Sequence, residues 1–222
     1  LKKAFTIVIL ILIVDQVFKI WIKTTMTLGQ EIMVLGNWFI LHFTENEGMA
    51  FGLTFGGETG KLMLSIFRII AAIAIGYYIW SLSKKRASNG LIICFSLILA
   101  GALGNIIDSA FYGLIFSQSS YHSAAVLFPE SGGYSSFLHG KVVDMLYFPI
   151  IDTTWPEWLP VFGGQPLQFF RPVFNIADSS ITTGVLALII FQRKFFTKRE
   201  EEKTEDTQVG NTDGGDDLST PD

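Results

Sequence analysis

The sequence predicts a mainly α membrane protein in which four transmembrane helices carry a small β-sheet, a cradle on the outer membrane surface. Three observations predict it. Of the 222 residues, 50% are hydrophobic and only 16% are charged, whereas soluble domains carry about a quarter charged residues. Apolar runs recur at span length, which takes about 20 residues to cross a hydrocarbon core of roughly 30 Å. Between the runs, one segment alternates apolar and polar residues with the period of a strand.

The first run, Ala4 to Ile22, follows Lys2 and Lys3 as a signal peptide would. Asp15 and Lys19 interrupt it and no small-residue cleavage site follows, so a retained helix is expected. The chain opens at Leu1, and a starting Met is expected to have been lost or trimmed. In "LGNWFILHFTENEGMAFG", within the first outer segment (23–61), Phe39, Leu41 and Phe43 alternate with Ile40, His42 and Thr44 before a turn cluster around Asn46 and Gly48. That pattern predicts a strand with one apolar face.

The second run is Leu62 to Trp80 and the third Leu91 to about Ile107. The outer segment 108–173 holds "KVVDMLYF" and "DTTWPEWLPVFGGQPLQFFRP", expected as short strands and a surface piece. Trp155, Trp158, Phe169 and Phe170 suit the headgroup layer. The stretch Leu114 to Phe137, rich in Ser, Tyr and Gly, is expected as a loop. Open-edged backbone cannot face lipid, because its amides would go unpaired, so the strands belong above the bundle. The fourth run, Phe174 to Phe191, completes a membrane domain over 1–198. Residues 199–222, acidic and Gly-rich without hydrophobic period, are expected as a disordered cytoplasmic tail. The tail supplies much of the net charge of −4, which therefore says little about partners. No nucleic-acid partner is expected.

Basic residues set the orientation. Lys2 and Lys3 precede run one, Lys84, Lys85 and Arg86 separate runs two and three, and Arg193, Lys194, Lys198 and Arg199 follow run four. Lys and Arg stay on the cytoplasmic side, so both termini are cytoplasmic and the chemistry faces outward. Cys94, the single cysteine, has no partner within the chain.

Polar groups inside the runs are the candidates for chemistry. Asp15 and Lys19 lie one helical turn apart, as an internal ion pair would. Arg68 is expected to snorkel or pair. "GALGNIID" (101–108) ends run three with small residues, which permit close packing, and with Asn105 and Asp108. Asp144 and Asp178 each stand at the outer boundary within apolar sequence. Taken singly, each is as well explained as a cap or a satisfied boundary carboxylate. Placed together, burial and mutual repulsion would let the two hold one proton near neutral pH, the condition for water activation by one acid and proton donation by the other. They are 34 residues apart, so only the fold can join them.

Other chemistries lack their residues. His42, His122 and His139 do not follow the spacing of a zinc site, and no metal or cofactor is expected. A Ser-Lys nucleophile would need Lys19, which already faces Asp15, and Ser179 and Ser180 are expected to satisfy helix-start amides. A small transporter would use intramembrane acids as proton relays, and a structural membrane protein would merely pair them; four runs without paired broken helices make a poor transporter.

In order along the chain, "VDQVFK" (14–19), "TENEGMAFG" (44–52), "GALGNIID" (101–108), "VVDM" (142–145) and "FNIADSSITTG" (174–184) resemble the five motifs of bacterial lipoprotein signal peptidase, signal peptidase II. The resemblance covers about residues 4 to 192. It implies an intramembrane aspartyl endopeptidase of the bacterial cytoplasmic membrane that cleaves prolipoproteins just before a diacylglyceryl-modified cysteine. Asp144 and Asp178 would be the catalytic pair. Asp15, Asn46, Asn105, Asp108 and Asn175 would support them or bind substrate, with Gly48, Ala50 and Gly52 leaving room for backbone. Membrane lipids and globomycin-type inhibitors are implied partners, and a monomer is expected. Many members carry Arg directly after the "GNxxD" acid, where this chain has Ser109; Arg171 or Lys141 is the expected substitute. The segment between Asp108 and Asp144 is also longer than the family's usual one.

Overall fold

In the computed structural model, the described residues are 1–47, 57–169 and 172–191. Gly48, Ala50, Gly52, Phe170, Arg171, the basic residues after run four and the acidic tail lie outside them. Four helices dominate: α1 (Lys2–Thr25), α2 (Gly57–Lys84), α3 (Asn89–Ile107) and α4 (Ile176–Phe191). The first three, with α3 prolonged to Ile115, are long and apolar enough to cross a membrane, and α4 is a shorter apolar helix. α1, α2 and α3 overrun the apolar runs, while α4 starts two residues inside its run and ends with it. Lys23, in the last turn of α1, is fully buried. Ser88 starts α3 by accepting from the Leu91 amide at 3.4 Å, one of the four amides a helix start leaves over.

α3 does not stop at Asp108. Residues Asp108–Tyr112 form a π-turn, and one last helical turn follows, Gly113–Ile115. Such a turn re-aims the side chains beyond it. Asp108 and Tyr112 end up buried, facing α1 and the sheet.

The strands β1 (Glu31–Leu35), β2 (Phe39–Asn46) and β3 (Val142–Tyr147) form one antiparallel sheet in that order. Thr44 pairs with Asp144 and Asn46 with Val142, beyond an irregularity between Leu41 and Thr44. Leu41 and Phe43 are buried as alternation predicts, and Ile40 is buried as well. A separate hairpin joins β4 (Ile151–Thr154) to β5 (Pro166–Phe169). Residues 116–141 are almost wholly irregular and fold back over the end of α3, where Ser135 and Gly140 amides donate to Gly113 and Ser109 carbonyls.

Two apolar cores hold this together. One, at the sheet end, packs Ile22 of α1 and Met26 just past its end against Leu41, Phe43, Val143, Met145, Tyr112 and Phe116. The other, at the opposite end, joins Ala4 to Ile79, Leu82, Leu91 and Ile92. Elsewhere the helices turn large apolar residues outward, among them Phe5, Ile13, Phe67, Ile73 and Ile190. An all-apolar outer face suits lipid, since the helices satisfy their own amides.

Candidate active site

The site begins with the start of α4. Asn175 stands at its N-cap, and its Oδ1 accepts from the Asp178 amide at 2.8 Å while the Asn175 amide donates to Asp178 Oδ2 at 3.3 Å. This is a reciprocal capping box written with Asn and Asp. It seats the Asp178 carboxylate in the first turn of a helix, where unpaired amides favour negative charge. Another first-turn amide, that of Ala177, donates to Asp15 Oδ1 at 2.9 Å. Ser179 and Ser180 therefore do not cap: their hydroxyls donate to the Asn175 and Leu97 carbonyls, each at 2.8 Å.

Asp144 arrives from β3. Phe174, the residue before the cap, pairs with Leu146 through Leu146 N to Phe174 O at 2.7 Å and Phe174 N to Leu146 O at 3.0 Å. That bridge sets Asn175 beside Asp144, and Asn175 Nδ2 donates to Asp144 Oδ1 at 2.7 Å. The same amide group lies 3.1 Å from Asn105 Oδ1 and 3.3 Å from the Val143 carbonyl oxygen. Asn105 Nδ2 in turn donates to Asp178 Oδ1 at 2.8 Å. The two acids thus share Asn175, and the asparagine of α3 completes the frame.

Asp144 is 3% exposed, and the Asn46 side chain also hydrogen-bonds it. Burial pushes its carboxyl up to about 7, the charge of Asp178 adds to the rise, and Lys19 and the hydrogen bonds from Asn175 and Asn46 oppose it. An acid so placed keeps its proton near neutral pH. Asp178 is less buried than Asp144, which leaves the pair approachable from one side.

Behind the pair lies a second set of acids with a different partner. Lys19 Nζ, fully buried, is 3.0 Å from Asp15 Oδ2, 2.8 Å from Asp108 Oδ2 and 3.0 Å from Asn105 Oδ1. Gln16 Nε2 donates to Asp108 Oδ1 at 2.9 Å and accepts at Oε1 from the Tyr112 hydroxyl. Helix approach is close here. A Cβ on Gly104 would sit 2.7 Å from Asp15 Oδ2, and one on Gly101 would sit 2.2 Å from the Ala177 carbonyl oxygen. Any larger residue at Gly101 would push α4, and Asp178 with it, away from α3.

The structure thus brings together Asp15, Asn46, Asn105, Asp108, Asp144, Asn175 and Asp178; Gly48 lies outside the described residues. Two participants went unmarked in the sequence. Gln16 adjoins Asp15 within the first motif, and Lys23 continues the i, i+4 row of Asp15 and Lys19 along α1. Lys23 contacts Glu45 and Ser119 and lies over the Phe116 and Tyr134 rings, so the row itself was the available signal. A second expectation is corrected beside that of the two serines: Lys141 pairs with sheet acids rather than with the acids of the site. Its Nζ lies 3.9 Å from Glu45 and 3.7 Å from Glu47, on the sheet. Among the described residues, no group of three or more His, Cys, Asp or Glu could hold a metal ion.

Known proteins share this arrangement of chain. The family described as Signal peptidase (SPase) II matches residues 7–194. A lipoprotein signal peptidase of Porphyromonas gingivalis is 50% identical over 190 residues, covering 85% of this chain and 82% of that one. Another, of Amoebophilus asiaticus, is 40% identical over 210 residues, covering 93% and 84%. Among solved structures, a bacterial membrane enzyme determined by the in meso method at 2.3 Å resolution superposes with a TM-score of 0.56 at 27% identity, over 87% of this chain and 89% of that one. By its motifs, its fold and these relatives, the chain belongs to the signal peptidase II family, and it is a peptidase.

Proposed function

We propose that this peptidase is an intramembrane aspartyl endopeptidase whose catalytic pair is Asp144 and Asp178. The family assigns it the removal of signal peptides from prolipoproteins in a bacterial membrane. The observation that supports the mechanism is the shared asparagine: Asn175 donates to Asp144 through its side chain and to Asp178 through its backbone. Two carboxylates so close, one of them buried, hold a single proton between them. The ionised partner takes a proton from water as its oxygen attacks the scissile carbonyl. The protonated partner donates to the developing oxyanion, and the leaving amine takes the other proton on collapse. No acyl-enzyme forms.

The substrate class is a prolipoprotein already carrying a diacylglyceryl group on the cysteine that follows the cut. Its acyl chains stay among membrane lipids while the peptide lies under the sheet. Asn46, Asn105 and Asn175 are the groups near the pair suited to a peptide backbone, Gly48 joins them by its motif, and globomycin-type inhibitors would occupy the same place. Both termini face the cytoplasm, the sheet end faces outward, and the chain works as a monomer. The membrane domain covers 1–198 and the acidic tail 199–222.

The test is cleavage of a synthetic diacylglyceryl-modified lipobox peptide in detergent by wild type, Asp144→Asn and Asp178→Asn. Wild type cuts before the lipidated cysteine, and both variants, folded by circular dichroism, lose about 10³-fold or more. A folded variant that cuts at the wild-type rate removes its aspartate from the mechanism.

A further inference from the structure

The ladder between β2 and β3 changes step just before the site. Ile40 pairs with Tyr147 and Leu41 with Leu146, but Thr44 pairs with Asp144, Glu45 with Val143 and Asn46 with Val142. Between the Leu41 and Thr44 pairs β2 advances three residues and β3 only two, so β2 carries one extra residue, as in a β-bulge. Without it the pairing of Ile40 and Leu41 would run on unbroken. Phe43 would then stand opposite Asp144, Glu45 opposite Val142 and Asn46 opposite Lys141. A shift of one residue moves side chains to the other face of a sheet, so the bulge decides which residue meets Asp144. In the structure Thr44 lies opposite it, and the Asn46 side chain hydrogen-bonds it.

Hydrophobic patterning does not choose between the two registers at this end. The partners that Glu45 would have in them, Val143 and Val142, are both buried valines. What differs is where the Glu45 carboxylate goes. Its side chain, 5% exposed, pairs with Nζ of Lys23, which is fully buried in the last turn of α1. Ser119 completes the triangle: its Oγ accepts from Lys23 Nζ at 2.9 Å and donates to Glu45 Oε1 at 2.7 Å. The Phe116 and Tyr134 rings flank the ammonium, with centroids 5.4 and 5.1 Å away, and the Ala125 amide donates to the Lys23 carbonyl at 3.0 Å. The long segment 116–141 thus walls in the pair. A slip of one residue carries Glu45 by about 3.3 Å along the strand, away from an ammonium that helix, rings and hydroxyl hold in place. The other ion pair at this end, Lys61 with Glu47, is 45% exposed on the acid's side and constrains the strand far less. A buried ion pair seldom stabilises more than apolar residues of its volume would, and its best-attested use is to specify register.

We propose that Lys23 and Glu45 are positioning residues of the peptidase site: their buried ion pair selects the bulged register of β2 on β3, so that Thr44 and Asn46, and not Phe43, face Asp144. The pair touches neither the reacting acids nor the substrate. It acts through the strand, because Glu45 is covalently next to Asn46 and lies opposite Val143, the residue before Asp144. That the register matters to the reaction rests on the aspartyl-pair reading above.

The experiment reads register directly, using the full chain in detergent with Cys94→Ser, so that the single native thiol does not compete. Asn46→Cys is combined with Val142→Cys in one chain and with Lys141→Cys in another, and both are oxidised with copper phenanthroline. A disulfide needs Cα atoms within about 7 Å and Cβ atoms that face each other, so with the ion pair intact only the Val142 combination bridges. Lys23→Met/Glu45→Leu exchanges the ion pair for apolar side chains of similar volume, and the chain stays folded by circular dichroism. In that background the Lys141 combination bridges as well. Without the added cysteines, the same double variant cleaves the diacylglyceryl lipobox peptide with kcat lower by about tenfold or more, since a displacement of about 1 Å can cost 10²-fold. Lys23→Met/Glu45→Gln, which keeps an acceptor for Ser119, takes its place should the first not fold. A folded double variant that bridges only through Val142 overturns the proposal, and so does one that cuts at the wild-type rate. An active Asp144→Asn overturns the aspartyl pair instead and leaves the cross-linking result standing, so the two failures are told apart.

Discussion

Two carboxylate pairs lie within a few side chains of each other in this molecule, and they are built differently. Asp15 and Asp108 are held apart by the ammonium of Lys19, which touches both. Asp144 and Asp178 are held together by the amides of Asn175. A buried cation in contact with both acids meets their charge directly. An amide can hydrogen-bond carboxylates but cannot cancel their repulsion, so a proton must do so. What differs between the pairs is the partner, and on the reading proposed above it decides which pair does acid–base chemistry.

Exchanging the partners breaks this comparison most severely. Lys19→Met leaves Asp15 and Asp108 facing each other without a cation, and the protein loses about 3–5 kcal/mol, the usual effect of stripping one member from a buried ion pair. Thermal unfolding in detergent reads it, and an unchanged midpoint contradicts the structural role of Lys19. Asn175→Leu attacks the other pair. It removes the bridge and the cap together, and we expect cleavage to fall about 10²-fold or more with stability lower by about 1–2 kcal/mol.

Titration sharpens the comparison further. On the proposed mechanism Asp144 must keep its proton, and its carboxyl is pushed up to about 7, so activity is expected to fall as pH rises through about 7. The stability sign follows from the same displacement. The folded protein holds a proton that the unfolded chain releases at about 4, so ionising Asp144 costs stability increasingly as pH rises from about 4 to about 7. Asp144→Asn escapes that cost, and its melting temperature gains on wild type over that interval; a constant difference between the two refutes the assignment. The smallest effect belongs to the partly exposed sheet charges. Lys141→Ala, with contacts of 3.7 and 3.9 Å, changes stability by about 0.5 kcal/mol and leaves the pH profile in place.

Hydropathy made the helices legible, because a span of the required length has few alternatives, and alternation at Phe39–Thr44 marked β2. β1 escaped notice for a physical reason. "EIMVL" has all five residues exposed, so no buried face imprinted a period on it. The π-turn at Asp108 has no composition of its own. Asp144 and Asp178 stood out as acids in apolar surroundings, yet nothing local joins residues 34 apart. The missing step is the pairing of Leu146 with Phe174, a contact between two hydrophobic residues that no spacing announces.

The Leu146 to Phe174 bridge also makes the geometry of the two acids modular. The chain leaves β3 after the bridge and returns to it just before α4, so the intervening β4–β5 hairpin hangs from a closed neck. Loop-closure entropy grows only slowly with length, by about 0.6 kcal/mol per doubling. A lineage, or an engineer, can therefore lengthen, shorten or replace the hairpin at little thermodynamic cost while the asparagine that joins the two acids stays where it is. The hairpin can diversify in sequence and length independently of the frame that joins the acids.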